Sequence, residues 1–208
     1  MERLIKGFER FRSGYFQANR ELFSTLATEG QRPRFLIIGC SDSRVDPGLI
    51  FDTGPGEMFV IRNVANLVPP FETGGTYHGT SAAIEFAVRS LEVEHVAVLG
   101  HAGCGGVRAL LEESAVSDSD FIRPWMDIAR TARDRALALT LSASQPIEAA
   151  RVMAEHETVA ISLANLMTFP WLRQRVVDGR LALHGLYFDV ENGDLFRLNG
   201  ISNTFEKV

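Results

Sequence analysis

Apolar residues fall along the chain in short solid runs, separated by longer stretches of helical periodicity. Phe35-Leu36-Ile37-Ile38-Gly39, Met58-Phe59-Val60-Ile61-Arg62 and Val96-Ala97-Val98-Leu99-Gly100 lack the polar alternate of a half-solvated strand. Such runs predict strands covered on both faces, as in a parallel sheet. Leu181 to Asp189 predicts a fourth strand, and Asn192-Gly193 is a turn signal leading into Leu195-Phe196-Arg197-Leu198 as an antiparallel edge. Helices are expected over about 2–28, where Gly14 makes two shorter helices equally acceptable, and over about 79–91. A further helix follows Cys104, and two more cover about 120–141 and 146–167, with Pro170 ending the last. Residues 114–119, small and acidic, read as a loop. The fold class that follows is α/β: a mostly parallel central sheet of four strands plus an antiparallel edge strand, flanked by helices. No repeat or linker interrupts the pattern, so 1–208 reads as one domain with an N-terminal helical arm over about 1–30.

Composition adds exclusions. At 46% hydrophobic and 23% charged residues the chain is unlike a disordered one. Its formal charge of -5 argues against nucleic acid as a partner, which needs clustered Lys and Arg. No apolar run reaches the roughly 20 residues of a membrane span, and Met1 to Lys6 lack the apolar core of a secretory signal. The expected location is the cytoplasm, whose reducing conditions leave the two cysteines, Cys40 and Cys104, free as thiolates.

Those cysteines sit where chemistry gathers in such folds. The first strand runs into Gly39-Cys40-Ser41-Asp42-Ser43-Arg44, and the third into Gly100-His101-Ala102-Gly103-Cys104-Gly105-Gly106. Ligands of open α/β sheets collect outside the carboxyl ends of strands, so the two segments can meet. Singly, each residue has a bland explanation: a packed cysteine, a core histidine, a structural ion pair. Together, two thiolates and an imidazole are a donor set suited to zinc, and three ligands leave a fourth position for water, as catalytic sites do. Zinc lowers the pKa of such a water to about 7, which yields a hydroxide nucleophile. Asp42 is placed to accept a hydrogen bond from the zinc-bound oxygen, and Arg44 to keep Asp42 ionised. Gly103, Gly105 and Gly106 allow tight turns at the metal, and amides at the following helix start favour an anionic product.

Cys40-Ser41-Asp42-Ser43-Arg44-Val45 followed by His101-Ala102-Gly103-Cys104-Gly105-Gly106 resembles the paired signature of the β-class carbonic anhydrases. The likeness extends through Pro55–Asn66, Gly79–Glu85, Leu183-His184-Gly185 and Tyr187-Phe188-Asp189, covering most of 31–190. The resemblance implies a lyase with one zinc ion per chain, held by Cys40, His101 and Cys104, that hydrates carbon dioxide reversibly to bicarbonate and a proton. It implies an Asp42–Arg44 dyad as gate, and a homodimer as the smallest functional unit, assembled further into tetramers or higher in some members. Gln31 stands where the plant-like, open subtype has a substrate-binding glutamine, and Phe59 and Val64 match apolar residues flanking substrate, with Gly105 beside them. The other subtype's inhibitory bicarbonate pocket uses a tryptophan, an arginine and a tyrosine. The matching positions here are Ile37, Arg62 and Phe188, so the open, water-ligated state is expected. Phe86 departs from the plant-like pattern, which has a tyrosine there.

Two rival functions stay open at this point. Relatives with the same metal site hydrolyse carbonyl sulfide or carbon disulfide, and a zinc-stabilised protein without catalysis would use Asp42 as its fourth ligand. Among the other histidines, His78 in its Gly-rich loop is the best placed to shuttle protons, while His184 within an apolar strand reads as structural.

Overall fold

The structure, a computed structural model, describes residues 1–75, 77–112, 118–143 and 147–208, with side chains for all of these except 140–143. Most of the loop expected over 114–119 lies outside them. Strands β1 (Phe35–Cys40), β2 (Met58–Asn63), β3 (His95–His101) and β4 (Ala182–Asp189) form where the solid apolar runs stand. With β5 (Asp194–Asn199) and β6 (Thr204–Lys207) they make one six-stranded sheet in the order β2-β1-β3-β4-β5-β6. The first four strands are parallel and the last two antiparallel. The fold class is the expected one with one correction: β6 adds a second antiparallel edge strand.

The inner strands are covered on both faces, which explains their lack of polar positions. Leu36, Ile38, Val96 and Val98 pack under α5 (Gly79–Glu85), α9 (Ile147–Leu166) and α10 (Pro170–Val177), through Ile84, Val159, Leu166 and Leu172. Ile37, Ala97 and Leu99 point the other way, towards Ile50 of α4 (Pro47–Ile50), Met58 and Leu186. A further apolar cluster covers the carboxyl ends of β1 and β3. There Cys40 and Cys104 pack with Val107 and Leu110 of α6 (Gly105–Leu111), Met126 of α7 (Ile122–Met126), Ala132 and Ala136 of α8 (Arg130–Ala143), and Ala154 of α9.

Pro170 opens α10 instead of merely ending its predecessor, because proline at a first helical position forfeits no hydrogen bond. The helix expected over 79–91 passes into a π-turn at Phe86–Ser90. The N-terminal segment divides into α1 (Glu2–Ser13), α2 (Tyr15–Ala18) and α3 (Arg20–Glu29), broken at Gly14 and Asn19. None of their residues is buried: Leu4 is 70% and Phe8 58% exposed. Contact with the rest of the chain includes Leu26, packed so close that a Cβ on Gly56 would lie 2.8 Å from its Cδ2.

From β1 the chain moves outward to β2, then returns past β1 to β3. The carboxyl ends of β1 and β3 therefore diverge, making a topological switch point between neighbouring strands. Cys40 ends one of these strands and His101 the other.

Candidate metal centre

The switch point brings the three expected donors together. One ligand atom each from Cys40, His101 and Cys104 lies within 4.8 Å of the others, and all three residues are buried. His101 Nδ1 is 3.0 Å from the carbonyl of Ala102. A carbonyl can only accept, so Nδ1 carries the proton and Nε2 keeps its lone pair. That Nε2 is buried without a hydrogen-bond partner, and such an orphan calls for an explanation.

The two thiols shift each other's titration in opposite directions. The neighbouring Cys104 thiol, and to a lesser extent the nearby His101, push Cys40 down despite its burial. Amides of Asp42 and Ala65 also stabilise its thiolate. Cys104 is pushed up, by donating to Cys40 and by burial, although the amides of Gly106 and Val107 act in the opposite sense. Burial works against charge on His101, but the Cys40 thiolate beside it raises its pKa overall. Two buried free sulfurs, one of them biased towards the thiolate, and an unpartnered imidazole lone pair fit a cation. Soft sulfur with imidazole in a three-donor set fits zinc.

Asp42 and Arg44 stand next to this set and belong to it structurally. Arg44 donates from Nε to Asp42 Oδ1 at 2.9 Å and from Nη2 to Oδ2 at 2.7 Å, and its backbone N–H reaches Oδ1 at 3.0 Å. The same Nη2 lies 2.9 Å from the carbonyl of Gly103, so one guanidinium ties the loop after β1 to the loop after β3. This fork holds the Asp42 carboxyl well below the usual carboxylate range. Gly103 has φ +68, a left-handed conformation that a side chain would strain.

Arg62 supports the first loop from below. It donates from Nε to the Cys40 carbonyl at 3.0 Å, from Nη2 to the Asp42 carbonyl at 2.7 Å, and from Nη1 to Asp46 Oδ2 at 2.9 Å. Reading the sequence placed Arg62 only by its match to another subtype's pocket. Its clamp on two carbonyls depends on the β1–β2 register, which pairs Cys40 with Asn63.

Val64 borders the centre: a Cβ on Gly106 would lie 2.8 Å from its Cγ1, and its carbonyl accepts the Trp125 Nε1–H at 2.8 Å. Among the described residues, nothing beyond its chain neighbours and its own helix backbone lies within 4 Å of where a Cβ on Gly105 would stand. A cleft of about 1070 Å³ opens beside Ser41, Asn63 and Val64, with His78 and Thr80 on its wall.

Two expected site residues are not brought to the centre within one chain. Phe59 pairs with Leu36, four rungs before the Cys40–Asn63 pair, a separation of roughly 13 Å at about 3.3 Å per residue. Gln31 precedes the opposite end of β1 and is exposed. Phe86 packs against Phe59 with ring centroids 5.8 Å apart, so it lies on the Phe59 side. His184 lies within β4, its Nε2 3.2 Å from His95 Nδ1.

One residue escaped the sequence reading altogether. Glu155 of α9 is 1% exposed, accepts the backbone N–H of Cys104 at 3.0 Å through Oε1, and accepts the Tyr187 O–H at 2.8 Å through Oε2. Burial raises its pKa, with those two hydrogen bonds opposing. The available signal was its place among Ala150, Ala154, Thr158 and Ser162, which the helix buries.

Comparison with known proteins agrees with this geometry. Residues 35–195 match the family model described as carbonic anhydrase. A carbonic anhydrase of Synechococcus elongatus is 38% identical over 204 residues, covering 98% of this chain and 73% of that protein. Beta carbonic anhydrase 3 of Arabidopsis thaliana is 36% identical over 205 residues, covering 96% and 78%. Among solved structures, the β-carbonic anhydrase CcaA superposes with a TM-score of 0.92 at 36% identity, covering 100% of this chain and 92% of that one. One of two structures described as tetrameric β-carbonic anhydrases of Sordaria macrospora gives 0.81 at 30% identity, covering 95% and 96%.

Proposed function

The chain belongs to the β-class carbonic anhydrases, and from that premise we propose that it interconverts carbon dioxide and bicarbonate with one zinc ion held by Cys40, His101 and Cys104. The observation that carries the reading is the buried, unpartnered His101 Nε2 facing two sulfurs, with an ionised carboxylate clamped beside them. When bound, zinc supplies the Lewis acidity that turns water into a nucleophile near neutral pH.

The remaining work falls to the chain's own residues. Asp42, kept ionised by Arg44, can accept a hydrogen bond but not donate one. It therefore selects a protonated oxygen beside the donor set and orients that oxygen's remaining lone pair towards carbon dioxide. Arg44 holds both Asp42 oxygens, which favours Asp42 as an acceptor over Asp42 as a fourth ligand. Arg62 commits its guanidinium to Cys40, Asp42 and Asp46, which supports an open site without the bicarbonate switch. Val64 and the open space at Gly105 offer the substrate an apolar wall and room beside backbone amides.

Gln31 and Phe59 fit as substrate-binding residues only if they serve the centre of a second copy. This supports a homodimer, as do the exposed apolar positions of α1, and the tetrameric relatives of Sordaria macrospora support further assembly. Sedimentation equilibrium tests it, and a monomer at micromolar concentration would remove both residues from the site. No described helix is long and apolar enough to cross a membrane. We further propose that 1–208 is a single domain and that it works in the cytoplasm.

Stopped-flow hydration of carbon dioxide between about pH 7 and 9, on zinc-loaded wild type and Asp42→Ala, tests the gate. Fast hydration that collapses in the variant with zinc retained is the expected result. An unaffected variant would remove Asp42 from the mechanism. Carbonyl sulfide hydrolysis on the same wild-type preparation should be the slower reaction.

A further inference from the structure

Glu155 is a buried carboxylate to which the chemistry above gives no task. It is 1% exposed, and burying a carboxylate is costly unless its oxygens are satisfied. It shares the buried face of α9 with Ala154, Thr158 and Val159, where a carboxylate is the exception. Its partners show what the carboxylate is for. Oε1 accepts the N–H of Cys104, a metal donor, at 3.0 Å, and Oε2 accepts the Tyr187 O–H at 2.8 Å. Arg151 Nε stands 3.8 Å from Oε1.

The fold is arranged so that Glu155 can reach this amide. Gly100, just before His101, lacks the Cβ that would stand 2.6 Å from Val159 Cγ2 and 3.6 Å from the Glu155 carbonyl. Helix α9 therefore lies directly against the end of β3. The turn from His101 to Cys104 is held on one side by Arg44, through the Gly103 carbonyl, and on the other by Glu155, through the Cys104 amide.

We propose that Glu155, braced by Tyr187, is a positioning residue for the metal centre: by accepting the Cys104 amide it fixes the turn that presents the Cys104 sulfur and His101 Nε2 towards Cys40. This rests on the metal reading above. Partners that orient metal ligands typically matter 10–100-fold in metal affinity. A side chain at 155 unable to accept should let the turn relax, shorten the residence of the metal and alter its sulfur coordination.

The test uses the full chain loaded with cobalt(II) as a spectroscopic probe, and with zinc for release to a chelator. Glu155→Leu should release zinc on the order of 10–100 times faster than wild type and shift the thiolate-to-cobalt charge-transfer bands. Glu155→Gln, whose amide oxygen still accepts the Cys104 N–H, should stay close to wild type in both measurements. Leu166→Ala, on the same helix in another part of the core, should lower the melting temperature without changing release. If Glu155→Leu yields no folded protein, Tyr187→Phe decides, with faster release expected.

Wild-type release and spectra in Glu155→Leu would overturn the proposal. So would a Gln variant as impaired as Leu, equal acceleration by Leu166→Ala, or, in the fallback, wild-type release from Tyr187→Phe. Absence of any thiolate-to-cobalt band in the wild type would instead defeat the metal reading itself.

Discussion

Gly100→Ala measures how closely helix α9 is seated on the strand that delivers His101. The new Cβ would stand 2.6 Å from Val159 Cγ2, well inside any real carbon–carbon contact, and 3.6 Å from the Glu155 carbonyl. Val159 is fully buried and cannot swing into open space, so the helix or the strand end must move. Overpacking of this kind costs about 1–3 kcal/mol, outweighing the roughly 0.5–1 kcal/mol that alanine regains over glycine in a regular element. Val159→Ala deletes the obstructing methyl groups at a cost of about 1.6 kcal/mol in transfer energy, from about 0.8 kcal/mol for each carbon. In the double variant the new methyl fills part of the space vacated, so the costs should fall short of additivity by about 1 kcal/mol or more. Urea unfolding of the four proteins at one fixed concentration gives the cycle, the concentration being held because assembly contributes to apparent stability. Strict additivity, or a Gly100→Ala protein as stable as wild type, would refute the packing argument. Gly100→Ala should also slow carbon dioxide hydration, since the displaced residue adjoins His101.

Other expectations follow from the same contacts. His156, packed against the rings of Tyr187 and Phe205, has its pKa lowered by burial, so below about pH 6.5 the unfolded chain takes up a proton that the folded chain resists. Stability should fall as pH drops through that value, and His156→Phe should flatten part of the slope in urea titrations between about pH 5 and 8. Arg62→Ala removes the clamps on the Cys40 and Asp42 carbonyls. At about 1.5–3 kcal/mol for a hydrogen bond involving a charged group, hydration should slow by at least tenfold with zinc retained. A rate within twofold of wild type would show that Arg62 does not hold the loop.

The parts of this molecule set by local pattern were legible before folding. The apolar runs at 35–39, 58–62 and 96–100 became β1, β2 and β3 because strands buried on both faces leave no room for polar alternates. The glycine-rich ends of two of them marked the donors, since a switch point places two strand ends side by side. What the pattern concealed depends on distance in sequence. Strand β6 carries one apolar residue in four, Phe205, and exists only because β5 offers it a paired edge. Glu155 lies within the helix expected over about 146–167, and its reach to the Cys104 amide depends on Gly100, which lets that helix close on β3. Gln31 and Phe59 looked like neighbours of Cys40 by resemblance, yet the β1–β2 register sets Phe59 four rungs away. In the proposed homodimer their role lies between chains, which one chain's periodicity cannot encode.

The most direct test of the central claim is hydration of carbon dioxide by stopped flow as zinc is titrated into metal-free protein, with bound zinc measured in parallel. Activity that rises in proportion to zinc and saturates at one ion per chain, and that Cys104→Ser fails to recover at equal zinc, is the result this account requires. A fully loaded chain that does not accelerate hydration anywhere between about pH 7 and 9 would contradict it.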